Sequence, residues 1–272
     1  MSDFNRRIHY AAPNLSNTAN SEITCCVNLD NFSTYIALFH NNILLGLEVY
    51  DHPSKHSSSF SDTEFKQFEL LKQSYQKLFF YLSSSKNTLI PSPLFDIFSA
   101  DAYMRFNFEN IDNDTILYDD IPALNITQVY ALNRNFKYAL TRNFPEAVLK
   151  SQKSILLEQF YKHNNTAQNM YVHTRQDCFD IFVFNEKGLL LSNTFKYNSA
   201  QDYIFFLMSV VKQLELNPQN LYLFLSGEMD KEGGIYNFIY KYIRHISFMP
   251  LPQDMEWALK DIPYHYFLNL VH

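Results

Sequence analysis

Three short apolar runs, a helix-period segment and a further apolar run occur in this order twice along the chain, and that order restricts the fold more than any single residue does. In the second half the runs are Asn169 to His173, Phe179 to Phe184 and Leu189 to Phe195, with turns at Thr174 to Asp177 and at Glu186-Lys187-Gly188. Ser199-Ala-Gln-Asp202 then caps a helix running to about Leu214, and Asn217-Pro218 stops it. Its apolar residues from Tyr203 to Val211 fall on nearly every side, which predicts a buried helix. Leu221 to Leu225 reads as a strand inside a sheet, Ser226-Gly227 as a turn, Gly234 to Arg244 as a helix and Ile246 to Met249 as a last strand. An antiparallel meander extended by parallel strands through helical crossovers is a mixed α/β sheet.

The first half starts the same way. Ile23 to Leu29, Thr34 to His40 and Ile43 to Tyr50 are parted by Asp30-Asn31 and Asn41-Asn42, residues that form tight turns. An offset of 146 residues lays Tyr35-Ile36-Ala37-Leu38 on Ile181-Phe182-Val183-Phe184. Ser61-Asp-Thr-Glu64 is a capping box before Phe65, Phe68, Leu71, Tyr75, Leu78, Phe79 and Leu82, whose spacing predicts an amphipathic helix of about five turns. An insertion near residues 91–126 follows a strand ending at Thr88-Leu-Ile-Pro91; it holds a helix from Pro93 to about Phe106 and acidic loops at Asp112-Asn113-Asp114 and Asp119-Asp120. Then come a strand at Ile126 to Leu132, a helix at Arg134 to Arg142, a short strand at Ala147 to Lys150 and a helix at Ser154 to His163. A chain of 272 residues suits two cores better than one. The reading is a polar, unordered leader over residues 1–21, a first lobe over 22–165 and a second over 166–272.

Composition excludes several classes. A hydrophobic content of 47% with 18% charged residues is that of a folding chain, and a net charge of −6 gives no footprint for nucleic acid or anionic lipid. No apolar segment is long enough to cross a membrane, so a cytoplasmic location and no membrane insertion are expected. Cys25, Cys26 and Cys178 lack metal-ligand spacing and read as buried filler. His52 and His56 share a Ser-rich loop and are expected at the surface. The aromatic load of 25 Phe and 19 Tyr falls mostly on apolar positions of the elements above, so core packing accounts for it first. The tail Pro263 to His272 carries no carboxylate or Lys side chain and should dock on the protein or on a second subunit.

The element order resembles the duplicated ribonuclease-H-like lobes of the actin, sugar kinase and heat-shock chaperone superfamily. The run DTILYDDIPALNITQVYALNRNFKYALTRNFPEAVLKSQKSILLEQF is similar to the assembly-platform proteins of type IV pili and type II secretion. LIPSPLF, VYALN, NFPEAVLKSQ, LLLSNTFKYNSAQDYIFFLMSVVKQLELNPQNLYLFLSGE and YKYIRHISF resemble an uncharacterised bacterial family with this actin-like fold, across nearly the whole chain. The resemblance implies an actin-like ATPase fold of two lobes, each a mixed five-stranded sheet flanked by helices.

It also implies where a nucleotide would sit. Active members of the superfamily hold ATP between the lobes, with a glycine-containing hairpin after the first strand of each lobe, a metal-side Asp at each hairpin and a glycine turn near adenosine. Glycine serves there because backbone N–H groups must approach phosphate closely, often at positive φ. The five glycines here, Gly46, Gly188, Gly227, Gly233 and Gly234, avoid both hairpins. Asp30 stands where the first carboxylate would be, with Asn31 able to take left-handed backbone in place of glycine, and Ser226, Gly227, Gly233 and Gly234 match the adenosine turns. Ordinary turn chemistry accounts for the same residues. Two helices carry a basic face with interleaved tyrosines, Arg134, Lys137, Tyr138 and Arg142 on one and Lys241 and Arg244 on the other, and these are candidates for protein contact. Two readings result. One is a degenerate, non-catalytic actin-like protein serving as a binding or scaffold module, with no cofactor, a protein partner and a homo-oligomer compatible. The other is an ATPase or phosphotransferase using Mg-ATP with Asp30 as its carboxylate.

Overall fold

A computed structural model describes residues 4–52, 60–164 and 168–271. Its contacts divide the chain into two compact units, one of Met1–Ile155, Asp254–Ala258 and Asn269–His272, the other of Leu156–Gln253 and Leu259–Leu268.

In the first unit, β1 (Asn5–Ala11), β2 (Thr24–Leu29), β3 (Ser33–His40) and β4 (Ile43–Asp51) are followed by a one-turn α1 (Asp62–Phe65), β5 (Lys77–Leu82), β6 (Asn87–Pro91), α2 (Ala100–Asn107), β7 (Asp114–Ile121), β8 (Ile126–Asn133), α3 (Arg134–Asn143) and β9 (Val148–Ser151). β1 to β5 and β9 form one sheet in the order β1-β4-β3-β2-β5-β9, and β6-β8-β7 form a second, antiparallel one. α4 (Gln152–His163) leads on, and the division between the units falls inside it. The second unit holds β10 (Asn169–Thr174), β11 (Cys178–Asn185), β12 (Gly188–Lys196), α5 (Ala200–Gln213), β13 (Tyr222–Gly227), α6 (Gly234–Ile239) and β14 (His245–Phe248), with strand order β12-β11-β10-β13-β14.

The two larger sheets share one pairing scheme at a constant offset of 145 residues. Ser33 pairs with Asp51 and Cys178 with Lys196; Thr24 pairs with Phe39 and Asn169 with Phe184; the parallel partners are Thr24 with Lys77 and Asn169 with Tyr222. Even the irregularity in the outer hairpin recurs, after Leu38 in one sheet and Val183 in the other. The sequence offset of 146 is thus one residue too long. Because strand side chains alternate faces, that single step would set Ile36 on the outward side; at 145 it falls on Ile181, and both belong to their unit's core.

Each unit has its own core on one face of its sheet. In the first, Cys25, Val27, Ile36, Leu38, Phe80 and Leu82 meet Phe60, Phe65, Phe68, Phe136 and Leu140. In the second, Met170, Val172, Ile181, Val183, Leu223 and Leu225 meet Tyr203, Leu207 and Val211 of α5 and Ile239 and Ile243 at α6.

Several sequence expectations change. The polar leader contains β1, which lines the sheet edge along β4 and ties down through Arg6 and His9, both 3.0 Å from the buried Glu48 carboxylate. The five-turn helix from Phe65 to Leu82 stops after one turn. The capping box forms, but a short 3-10 turn over Glu69–Lys72 leads straight into strand β5. KLFFYL lies between β2 and β9 with Phe79 to Leu82 all buried, and a strand covered on both faces is apolar at consecutive positions, which mimics a helix in period. α5 is not buried all round, since Phe205 is exposed and Tyr203, Leu207 and Val210 are not. The helix expected from Pro93 to Phe106 is two 3-10 turns before the shorter α2. The acidic loop at Asp119-Asp120 is strand β7. His52 is buried, edge-on to Phe4 and Phe60 with Nε2 2.8 Å from Thr34 Oγ1; His56 lies outside the described residues. All three cysteines are buried as expected, with burial pushing the Cys26 thiol up to about 12. In the tail, Phe267, Leu268, Leu270 and Val271 are buried.

Candidate functional site

The matched register puts the two hairpins that follow the first core strand of each unit into correspondence. In the first, Leu29 ends β2 opposite Thr34, and the turn runs Asp30-Asn31-Phe32. Asp30 is buried, its N–H donates to Ser33 O at 3.0 Å, and its carboxylate accepts the Asn31 N–H at 2.7 Å. Phe32 O accepts from His52 N–H at 2.7 Å. This is an aspartate turn closed on itself. In the second, Thr174 ends β10 opposite Phe179, and the residue in the place of Asp30 is Arg175. Its N–H donates to Cys178 O at 2.9 Å, and its guanidinium donates to Asp180 at 2.8 Å in a pair that is almost wholly buried. Among the described residues, left-handed backbone occurs at Asn41, Asn42, Asn110, Asn125, Glu215, Gly188 and Gly227 and at none of the residues of these two turns. Asn31 therefore does not take the conformation that would substitute for glycine; Asn41 and Asn42, in the neighbouring turn, do.

Sequence reasoning did not single out the polar group beside Arg175. Asp180 accepts from Thr194 Oγ1 at 2.5 Å as well as from Arg175, and it sits opposite His173 across the ladder. His173 Nδ1 lies 3.1 Å from Ser226 Oγ, which donates to Val172 O at 3.2 Å. With its one proton spent on that carbonyl, Ser226 accepts from Nδ1–H, which fixes the neutral tautomer. Burial, reinforced by Arg175 and opposed by Asp180, lowers the His173 pKa to about 3. Ser226, His173 and Asp180 have the residue types of a hydrolytic triad, but all three are closed from solvent, so the set acts as a polar brace between β10, β11 and β13. The one sequence sign of it was a carboxylate inside the apolar run Phe179 to Phe184.

Gly227 ends β13 at φ +78°, and a Cβ there would lie 2.1 Å from Thr174 O. Close passage of β13 beside β10 requires this glycine. Gly233 precedes α6 with extended backbone, and a Cβ on Gly234 would meet open space.

The two basic faces fare differently. On α3, Arg134 donates to Asp112 O at 2.9 Å, Arg142 pairs with Asp62 and lies over the Tyr138 ring, and Tyr138 itself is exposed. Beside them opens a groove of about 490 Å³ floored by Phe60, Phe136 and Ala139 and rimmed by Asp62, Asn133 and Arg142. The second helix is shorter than expected. α6 ends at Ile239, so Lys241 and Arg244 belong to the turn beyond it, where Lys241 lies over Phe238 and Arg244 N–H donates to Pro218 O. No helical face unites those two cations.

Among the described residues no helix is long and apolar enough to cross a membrane, and no cluster of His, Cys, Asp and Glu suits a metal ion.

A protein of unknown function from Bacteroides thetaiotaomicron VPI-5482, described as having an actin-like ATPase fold, is similar over 85% of this chain and 91% of its own, with 23% identity and a TM-score of 0.73. The PilM-PilN type IV pilus biogenesis complex matches over 93% of this chain and 98% of the other at 8% identity and a TM-score of 0.58. The ethanolamine utilization protein EutJ from Carboxydothermus hydrogenoformans matches over 92% and 86% at 7% identity and a TM-score of 0.52. At these identities the likeness establishes the fold and nothing finer. No curated protein matches the sequence. Residues 12–246 match the family described as Protein of unknown function (DUF3822), and with the sheet order and the structural neighbours above, the chain belongs to that family and has the actin-like ATPase fold.

Proposed function

We propose that this chain is a degenerate actin-like protein that works as a protein-binding module and not as a nucleotide hydrolase. One observation carries the reading: the residue in register with Asp30 is Arg175, a cation committed to the buried Asp180, where a second metal-side carboxylate would be needed. Three further features support it. The backbone N–H groups of Asp30 and Arg175 close their own turns, so they are not offered to a phosphate. Neither turn has the left-handed backbone of a phosphate nest. Gly227, a match to the adenosine turn, is accounted for by its contact with Thr174. These residues do not fit a triphosphate with its magnesium, and no catalytic step runs through one.

The pairing scheme shared at an offset of 145 residues supports descent of the two units from one duplicated ancestor, with the polar turn positions drifting apart while the core positions held. PilM appears in a complex with PilN, which offers a precedent on this fold for work through a protein partner.

A thermal-shift titration with Mg-ATP, Mg-ADP and Mg-GTP tests the reading. A ligand at 100 times its Kd would add about 2.7 kcal/mol of stability, so the expected result is no displacement of the melting curve. A saturable displacement with Mg-ATP would overturn the proposal in favour of the ATPase reading. Loss of the accompanying hydrolysis in Asp30→Asn would then assign the carboxylate.

A further inference from the structure

The two matched sheets differ at one edge. At the offset of 145 residues β4 lies on β12, and the outer side of β4 is covered by β1 in antiparallel register, from Asn5 with Asp51 to Ala11 with Gly46. β12 ends its sheet, and among the described residues no strand pairs with its outer side. A nine-residue strand with Lys196 as its only charge, no proline and no glycine beyond Gly188 is a template for a further strand.

Tyr197 N–H donates to Asp177 O at 3.2 Å, so Leu191, Asn193 and Phe195 bond inward to β11, and Ser192, Thr194 and Lys196 turn their backbone groups outward. Thr194 N–H accordingly donates to Asn193 Oδ1 at 2.8 Å, within its own strand. Side chains alternate between the faces. Leu191 and Phe195 extend the core of their unit, with Asn193 exposed between them on the same face. On the other face Thr194 Oγ1 donates to Asp180, and Ser192 Oγ is closed from solvent without a hydrogen-bond partner among the described residues. The apolar surface continues past the edge: Phe195 stacks on Phe206 of α5 at 5.2 Å, and Phe206 meets Phe205, which is 65% exposed, at 5.4 Å.

What fits this edge follows from the residues it presents. In the first unit Glu48 holds Arg6 and His9 of β1; the residue in its place on β12 is Asn193, so a basic strand like β1 has no carboxylate to hold there. β12 is complementary to itself. Laid antiparallel on its own copy about Asn193, it sets Leu191 opposite Phe195 on the core face, amide against amide at the centre, and Ser192 opposite Thr194 on the other face, where the Ser192 hydroxyl gains an acceptor. The outward backbone groups of Ser192 and Thr194 exchange hydrogen bonds in the same register. A shift of two residues either way sets Asn193 opposite Leu191 or Phe195 and loses the match.

We infer that two copies of this chain join edge to edge through β12, giving one continuous sheet across a two-fold axis. The contact uses the same surface on both copies and is complete at two, so it makes a closed dimer and no filament. It goes beyond the protein-binding reading, and the two fail separately: Mg-ATP binding would overturn that reading with the dimer intact, and a monomer would overturn the dimer alone.

Sedimentation velocity of the full chain over a concentration series should show monomer and dimer in equilibrium and nothing larger. Asn193→Asp and Asn193→Lys, at an exposed side chain, should each keep the wild-type circular dichroism spectrum and weaken the dimer at least about tenfold, because like charges then meet at the axis. Mixing the two variants should restore association, since opposite charges then face each other. Cross-linking reads the register directly. Under mild oxidation Asn193→Cys should form a disulfide-linked dimer, because the opposed Cα atoms of a non-hydrogen-bonded pair stand about 4.5 Å apart, and Lys196→Cys should not. A wild type that stays monomeric, assemblies larger than a dimer, a dimer indifferent to both charge changes, a mixture that stays monomeric, or cross-linking of Lys196→Cys in place of Asn193→Cys would each overturn the inference.

Discussion

Gly227 and His173 are the residues whose chemistry is most tightly set by their surroundings. At Gly227 the positive φ disfavours any side chain, and a Cβ would stand only 2.1 Å from Thr174 O. Gly227→Ala should cost more than about 2 kcal/mol, read as a lower midpoint in urea denaturation, because strained backbone and a backbone clash act together. A value within error of wild type would mean that β13 can move away from β10 at no cost. His173 gives a pH signature. Its pKa falls to about 3 in the folded chain from an ordinary 6.5, so as pH drops below 6.5 the unfolded chain takes a proton that the folded chain refuses. Stability is therefore lost as pH falls through that window, by about 2 kcal/mol at pH 5 from this residue, at 1.36 kcal/mol for each pKa unit. His163 and His265, also lowered by burial, act with the same sign. His173→Asn should flatten, without abolishing, the slope of unfolding free energy between pH 7 and pH 5. An unchanged slope would show that His173 is protonated in the folded state.

At the scale of elements, β7 and β5 show where pattern and packing part company. Asp119 on β7 is partly buried and accepts from Ser151 N–H at 2.6 Å and Ser154 Oγ at 2.7 Å, with the Tyr130 hydroxyl at 3.4 Å. Burial raises its pKa, and the two serine bonds and Lys150 oppose the rise. It thereby fastens the start of α4 to the small sheet. Asp119→Ala leaves two buried donors unsatisfied and should lower stability by about 2 to 4 kcal/mol in chemical denaturation, whereas Asp120→Ala, which removes one exposed acceptor from Thr127 Oγ1, should cost about 1 kcal/mol. Equal effects would remove Asp119 from this role. None of this was legible in the sequence, where two adjacent aspartates carry the signature of a solvated loop. β5 hides for a different reason. A strand covered on both faces loses the alternation that identifies strands, and the real capping box at Ser61 and Glu64 announces a helix without setting its length. The edge strand β1 is hidden because it is mostly exposed, so its residues are polar.

For the whole molecule, the chain by itself determined the mixed character of the sheets and the recurrence of their order, because burial leaves its period in the sequence wherever one face meets water and the other meets a core; the separate cluster of Ile90, Met104, Ile111, Val129 and Ala131 on the small sheet was not foreseen. It determined the family too, through long segments that resemble other members, and it marked the glycine-poor turns. Only the tertiary structure decided the register, which moved the internal offset from 146 to 145 and brought Asp30 and Arg175 into correspondence. It alone showed that Arg175, Asp180, His173 and Ser226 meet, and that Phe98 and Phe106 face water. The physical reason is that hydrophobic patterning is a property of one segment at a time. Pairing of charges, closeness of backbones and exposure of rings depend on which distant segments arrive beside them.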